Sequence, residues 1–185
     1  MIIGLTGRNA SGKTTAGRWF VEARGFGMDS LSDAIRYWLQ ERGQPISREA
    51  LIEGGRTLRR EGGPGVLAER LLARIPEGAN HVIDSIRTPG EVAALRARPD
   101  FILLAIDAPA EARFERLLAR GRAGDAETYA AFRTQEEAEL ISADAAGQAL
   151  VATAALADHH IDNGGSQDAL YAALASLTSL LSRRS

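Results

Sequence analysis

The chain has 185 residues, 45% hydrophobic and 25% charged, with a net charge of −2 and no cysteine. This composition excludes a disordered or fibrous chain, and the lack of cysteine excludes disulfides, thiolate metal sites and cysteine nucleophiles. The near-neutral charge argues against a surface for nucleic-acid phosphates, and no apolar run nears the roughly 20 residues of a membrane span, so a cytoplasmic protein is expected, with neither nucleic acid nor membrane as partner.

Met1 to Thr6 reads as a buried strand, and Lys13 to Arg24 as a helix with Ala16, Phe20 and Val21 on one face and Gly25 as its stop. Phe26 to Asp29 is a weaker second strand. From Ser32 to Ile75 strand signals vanish, and three helical stretches follow, divided by Gly43-Gln44-Pro45 and Gly62-Gly63-Pro64-Gly65. Pro64 suits the first turn of the third. An insertion of about 45 residues is long for a crossover and is expected to be functional. His81 to Asp84 and Phe101 to Asp107 are apolar strands. Pro109 to Arg120 reads as a helix, Gly121 to Asp125 as a break, and Thr134 to Ala157 as a long helical region opened by a capping box at Thr134-Gln135-Glu136-Glu137. His159 to Asn163 is the last strand. After Gly164-Gly165-Ser166 a final helix carries Leu170, Leu174, Leu177 and Leu181 on its apolar face. The alternation predicts an α/β fold, a five-stranded parallel sheet between helices, in one domain spanning residues 1–185.

Gly7-Arg8-Asn9-Ala10-Ser11-Gly12-Lys13-Thr14 matches G-x-x-x-x-G-K-[ST] between an apolar strand and a helix, the context that gives the motif meaning. Glycines let the loop curl its amides toward phosphate, and the helix N-terminus adds dipole charge. Lys13 is placed to reach the β- and γ-phosphates, and the Thr14 hydroxyl to ligate Mg²⁺. Gly7, Asn9, Ala10, Ser11, Gly12, Lys13, Thr14 and Thr15 form the candidate nucleotide site, with ATP and Mg²⁺ as cofactors. Lysine usage supports it. Of 22 basic residues Lys13 is the single lysine, which marks a position where a planar guanidinium does not fit. The absence of any later lysine disfavours a guanine-nucleotide switch, whose base-reading segment carries one.

Gly4-Leu5-Thr6-Gly7 leading into Ser11-Gly12-Lys13-Thr14-Thr15 is similar to the opening of dephospho-CoA kinases. Ala157-Asp158 followed by Ile161-Asp162-Asn163-Gly164-Gly165-Ser166 resembles the last strand and turn of nucleoside monophosphate kinases and dephospho-CoA kinases. Asp33-Ala34-Ile35-Arg36 and Val82 to Pro89 look like the acceptor-phosphate elements of a monophosphate kinase. The chain thus resembles P-loop nucleotide kinases of this group along nearly its whole length. The resemblance implies sheet order 2-3-1-4-5, an acceptor-binding helical region at about 31–75, a lid at about 120–133, and adenine lying against Asn163 and Gly164.

Asp84 ends a strand, where open α/β sheets bind ligands, and is a candidate to hold Mg²⁺ or orient the attacking oxygen. Arg87 and Arg36 are candidates for the acceptor's phosphate, and Asp33 for orienting the acceptor or acting as base. Arg36 lies one turn beyond Asp33, so pairing between them is the competing arrangement, and Asp29 rivals Asp33. Arg113, Arg116 and Arg120 share a helix stripe. Arg120 and Arg122 flank Gly121 and are candidates to cover the transferring phosphate, with Arg133 a further lid candidate, whereas Arg113 reads as part of a solvated face. Arg56, Arg59 and Arg60 read mostly as surface residues, with an acceptor contact the alternative, His159 and His160 as structural, and Trp19 as packing, while position leaves Trp38 open between packing and stacking on a base. The expected activity is transfer of the ATP γ-phosphoryl group to a small nucleotide acceptor, foremost a (deoxy)nucleoside monophosphate. The alternatives are dephospho-CoA, phosphorylated on its ribose hydroxyl, and a regulatory P-loop ATPase. Nothing in the sequence speaks to oligomeric state.

Overall fold

The structure is a computed structural model and describes residues 1–121, 125–141 and 146–182. Strand β1 (Ile2–Thr6) is buried along its whole length because it lies at the centre of a five-stranded sheet, between β3 (His81–Asp84) and β4 (Phe101–Asp107). Strands β2 (Gly27–Ser30) and β5 (His159–Asp162) form the edges. All four pairings are parallel, and the order is β2-β3-β1-β4-β5. The register aligns Thr6 with Ala105, Ser30 with Asp84 and Asp107 with Asp162, so the strands end along one edge. Ligands of open parallel sheets bind there.

Side-chain alternation divides the core between two faces. Ile3, Leu5, Leu104 and Ile106 pack toward α1 (Lys13–Arg24) and α9 (Gln167–Ser182), with Phe20 fully buried and edge-on to Trp19. Ile2, Leu103 and Phe101 join the opposite cluster, with α2 (Leu31–Glu41), α3 (Arg48–Gly62), α4 (Val66–Leu72) and α5 (Pro89–Leu95). Each large side chain so buried contributes about 2 to 3 kcal/mol.

The remaining elements are α6 (Ala110–Arg120), α7 (Tyr129–Ile141) and α8 (Ala146–Ala154). Helix α1 ends at Gly25 as expected, its amide bonded to the Phe20 and Val21 carbonyls. Val21, however, is 38% exposed: Trp19 and Gly17 fill the buried face instead. Pro64 lies outside α4, ahead of its N-cap Gly65. Thr134 opens no helix. It sits inside α7 with its hydroxyl donating to the Ala130 carbonyl, and Thr128 supplies the cap, accepting from the Ala131 amide. The expected helical region is two helices, α7 and α8.

Candidate active site

The loop after β1 has a shape that only glycine permits at two positions. Gly7 has φ +140°, and a Cβ there would stand 2.1 Å from the Ile106 carbonyl oxygen; Gly12 has φ +103°, with 2.1 Å to Asn163 Nδ2. Asn163 braces the loop from the end of β5, its buried amide donating to the Ser11 carbonyl at 2.8 Å. Inside the curl, Lys13 Nζ donates to the carbonyls of Gly7 and Arg8, both at 2.8 Å. The ammonium thus occupies its own loop and is ready to exchange two carbonyls for phosphate oxygens. Burial lowers the Lys13 pKa to about 8, opposed by the nearby charge of Asp84. The hydroxyls of Thr6 and Ser11 are buried and have no partner among the described residues.

Around this loop lies a cleft of about 490 Å³ whose charged lining residues are Lys13, Asp84, Arg87, Arg116 and Arg120, with Asn9, Thr14 and Thr15 beside them. Asp84 arrives from the end of β3. Burial raises its carboxyl pKa; Lys13, the Ser85 amide at 2.5 Å and Arg87 pull it back. Ser85 turns the chain with φ +67°, a strained conformation for a residue with a Cβ and one that concentrates at functional sites. Arg87 is set by Glu91, only 1% exposed, which accepts from the amides of Arg87 and Thr88 at the start of α5. For Mg²⁺ the donor set fits: the Thr14 hydroxyl and the Asp84 carboxylate border one cleft, and Mg²⁺ in such sites takes one or two protein oxygens with phosphate and water.

Helix α6 brings the arginines. Arg120 makes a bidentate pair with Asp125 at 2.8 Å and also donates to Asn9 Oδ1 at 3.1 Å, linking the helix end to the loop. Arg116 donates to the Asn163 carbonyl at 2.6 Å, while its Nη1 is buried and has no partner among the described residues. The spacing of the arginine stripe showed that Arg116 shares a face with Arg120, but not that this face meets the loop. Arg113 reverses its expected surface role. It is 2% exposed, donates to the Ala108 carbonyl and holds Glu136 of α7 with both terminal nitrogens, because α7 folds back over the face that the sequence left open. Arg133 pairs with Glu137 on its own helix at 3.6 Å. Arg122 lies outside the described residues.

Two sequence-derived acceptor contacts do not reach the cleft. Asp33 accepts from the Ser30 amide at 2.6 Å and pairs with Arg36 at 2.7 Å, and Arg36 also donates to Ser32, so the i,i+3 pairing prevails. Asp29 is engaged by Tyr37 and His81. Asn163 and Gly164 are likewise absent from the cleft lining: the first turns its amide into the loop, and the second sits against Pro109 at the start of α6.

No protein-family model matches the sequence. The chain is 36% identical over 147 residues to a UPF0200 protein of Pyrococcus horikoshii, covering 76% of this chain and 78% of that one. The chain belongs to the UPF0200 family. A UPF0200 protein of Thermococcus kodakarensis is 32% identical over 175 residues, covering 91% of both chains. Solved structures similar to this UPF0200 chain include TT1252 from Thermus thermophilus, with TM-score 0.60, 22% identity and coverage of 98% and 97%. A shikimate kinase from Aquifex aeolicus gives 0.58 at 16% identity over 100% and 98% of the chains. A gluconokinase from Sinorhizobium meliloti gives 0.54 at 18% over 99% and 96%. At such identities these likenesses establish the P-loop kinase fold and carry no substrate with them.

Proposed function

We propose that this UPF0200 protein is an ATP- and Mg²⁺-dependent phosphotransferase that moves the γ-phosphoryl group onto a small acceptor, foremost a nucleoside or deoxynucleoside monophosphate. One observation carries the reading: Lys13, Thr14, Asp84, Arg87, Arg116 and Arg120 converge on a single cleft at the carboxyl edge of the sheet. Phosphoryl transfer needs little else, because charge neutralisation and in-line positioning supply most of the catalysis. Lys13 holds the β- and γ-phosphates. Thr14 and Asp84 would hold a Mg²⁺, which when bound would supply charge neutralisation, and Asp84 is also placed to orient the acceptor oxygen. Arg87 meets the acceptor's phosphate, and Arg120 faces the transferring phosphoryl group. The kinase fold of the solved neighbours supports the class of reaction.

A paired clamp of Arg36 and Arg87 around the acceptor would favour a monophosphate over dephospho-CoA, whose acceptor hydroxyl carries no phosphate. Arg36 is held by Asp33, so of these two arginines only Arg87 lines the cleft, and dephospho-CoA keeps its place as the second acceptor to try. The experiment is a panel of nucleoside and deoxynucleoside monophosphates and dephospho-CoA, each with MgATP, followed by product mass. Expected is a phosphorylated monophosphate with stoichiometric ADP. ATP turnover indifferent to every acceptor would sink the kinase reading and leave a regulatory ATPase.

A further inference from the structure

The phosphate cleft continues past the loop. At Gly7 and Leu150, which line both spaces, it adjoins a second cavity of about 290 Å³ between the ends of β4 and β5 and helix α8. The two differ in chemistry. The cleft is surrounded by arginine, lysine and aspartate, whereas the second cavity has Ala105 of β4 on one side and Leu150, Val151 and Ala154 of α8 on the other. Its polar members are few: Arg8, Asp107, His160 and Glu136, the last already neutralised by Arg113. An apolar slot with a small number of polar groups is the usual make-up of a small-molecule site. Its volume equals about ten waters of liquid, room for one ring system.

Helices α2 to α4 border hollows of their own, but neither of these shares a lining residue with the phosphate cleft. None of their residues lines the phosphate cleft. The hollow beside Trp38 and Gly54 shares no residue with that cleft and borders the C-terminal end of α2, whereas Ser30, whose strand ends beside Asp84, lies at the other end of that helix. Asp33 and Arg36, the acceptor candidates on α2, satisfy one another.

We propose that the acceptor's ring lodges in the α8 recess and not among helices α2 to α4. The acceptor it fits has an uncharged, planar heteroaromatic ring of nucleobase type, with faces against Ala105 and Leu150 and with hydrogen-bonding edges for Arg8, Asp107 and His160. The linker to that ring passes Gly7 and Leu150, and the acceptor's phosphate reaches Arg87. Helices α2 to α4 then act as structural support for β2 and β3. The proposal rests on the phosphotransferase reading for the phosphate end alone.

Photoaffinity labelling tests it. The full chain, saturated with a non-hydrolysable MgATP analogue, is irradiated with azido-adenosine monophosphate and separately with thiouridine monophosphate, and labelled peptides are mapped by mass. Saturable labelling is expected in 146–160, suppressed by excess unmodified monophosphate and reduced at least tenfold in Ala154→Trp. Val151→Trp, at a position 52% exposed, repeats the test should the first variant fail to fold. Saturable labelling within 31–75, or none with either probe, overturns the proposal. Absence of acceptor-dependent ADP overturns the phosphotransferase reading instead, wherever the label falls.

Discussion

Lys13 is where charge, burial and composition meet. Folded, its pKa is about 8 against an ordinary 10.5, with burial the leading cause. Two trends of opposite sign follow. The cation binds triphosphate, so MgATP affinity should fall as pH rises through about 8, while the apo protein, which holds fewer protons than the unfolded chain in this window, should gain stability from about 8 toward 10.5. Calorimetric titration from pH 7 to 9.5, paired with urea melts, checks both; an affinity flat across that range refutes the shifted lysine. Lys13→Arg should abolish turnover and leave the fold intact, because the loop accommodates a compact ammonium bonded to two of its own carbonyls and not a planar fork. Normal activity in that variant removes the central claim. The single lysine made this residue legible in the sequence. The Asn163 bond to the Ser11 carbonyl was not legible, because it joins residues 152 positions apart and no local pattern encodes such a pairing.

Among elements, the pairing of α6 with α7 tests long-range packing most directly. Arg113 is a fully buried guanidinium whose charge is answered by Glu136 and whose Cζ lies 5.4 Å from the centroid of the Phe132 ring. Removing one partner of such a pair leaves an uncompensated buried charge, a loss of about 3 to 5 kcal/mol. Glu136→Gln should therefore lower the melting temperature and speed amide exchange most in α6 and α7, whereas Arg133→Gln, at an exposed pair, should change stability by less than about 0.5 kcal/mol. Equal effects of the two would show that the buried pair holds nothing. Sequence periodicity identified α6 and placed its arginines on one stripe, yet it assigned Arg113 to solvent because the helix that covers it lies downstream of the break after Gly121. The Thr134 capping signal misled for a related reason: a hydroxyl followed by two glutamates has the right spacing, but in the middle of a helix the same hydroxyl bonds back to the carbonyl four residues earlier.

At the scale of the whole molecule, β3 and β4 read directly as apolar runs because both are buried among neighbours, while β2 and β5, on the edges, carry the weakest signals. Pairing order is set by contacts distant in sequence, which is why the order followed from family resemblance and not from periodicity. The same architecture makes a global prediction about ligand. The phosphate cleft takes lining residues from the loop after β1, the segment after β3, α6 and α8, so one triphosphate would link elements spread over most of the chain. Binding only to the folded state adds about 2.7 kcal/mol at a hundredfold excess over Kd, and in a domain of this size that raises the melting temperature by about 5 to 10 °C. Thermal melts with MgATP should show that rise in the native chain, and amide exchange should slow at β1, β3 and α6 together. In Lys13→Ala the apo melting temperature should be at or above that of the native chain, because a buried ammonium has been removed, while the ligand-induced rise should disappear. A variant that keeps the full rise would mean that ATP binds somewhere other than this loop, and the assignment of the cleft would fall with it.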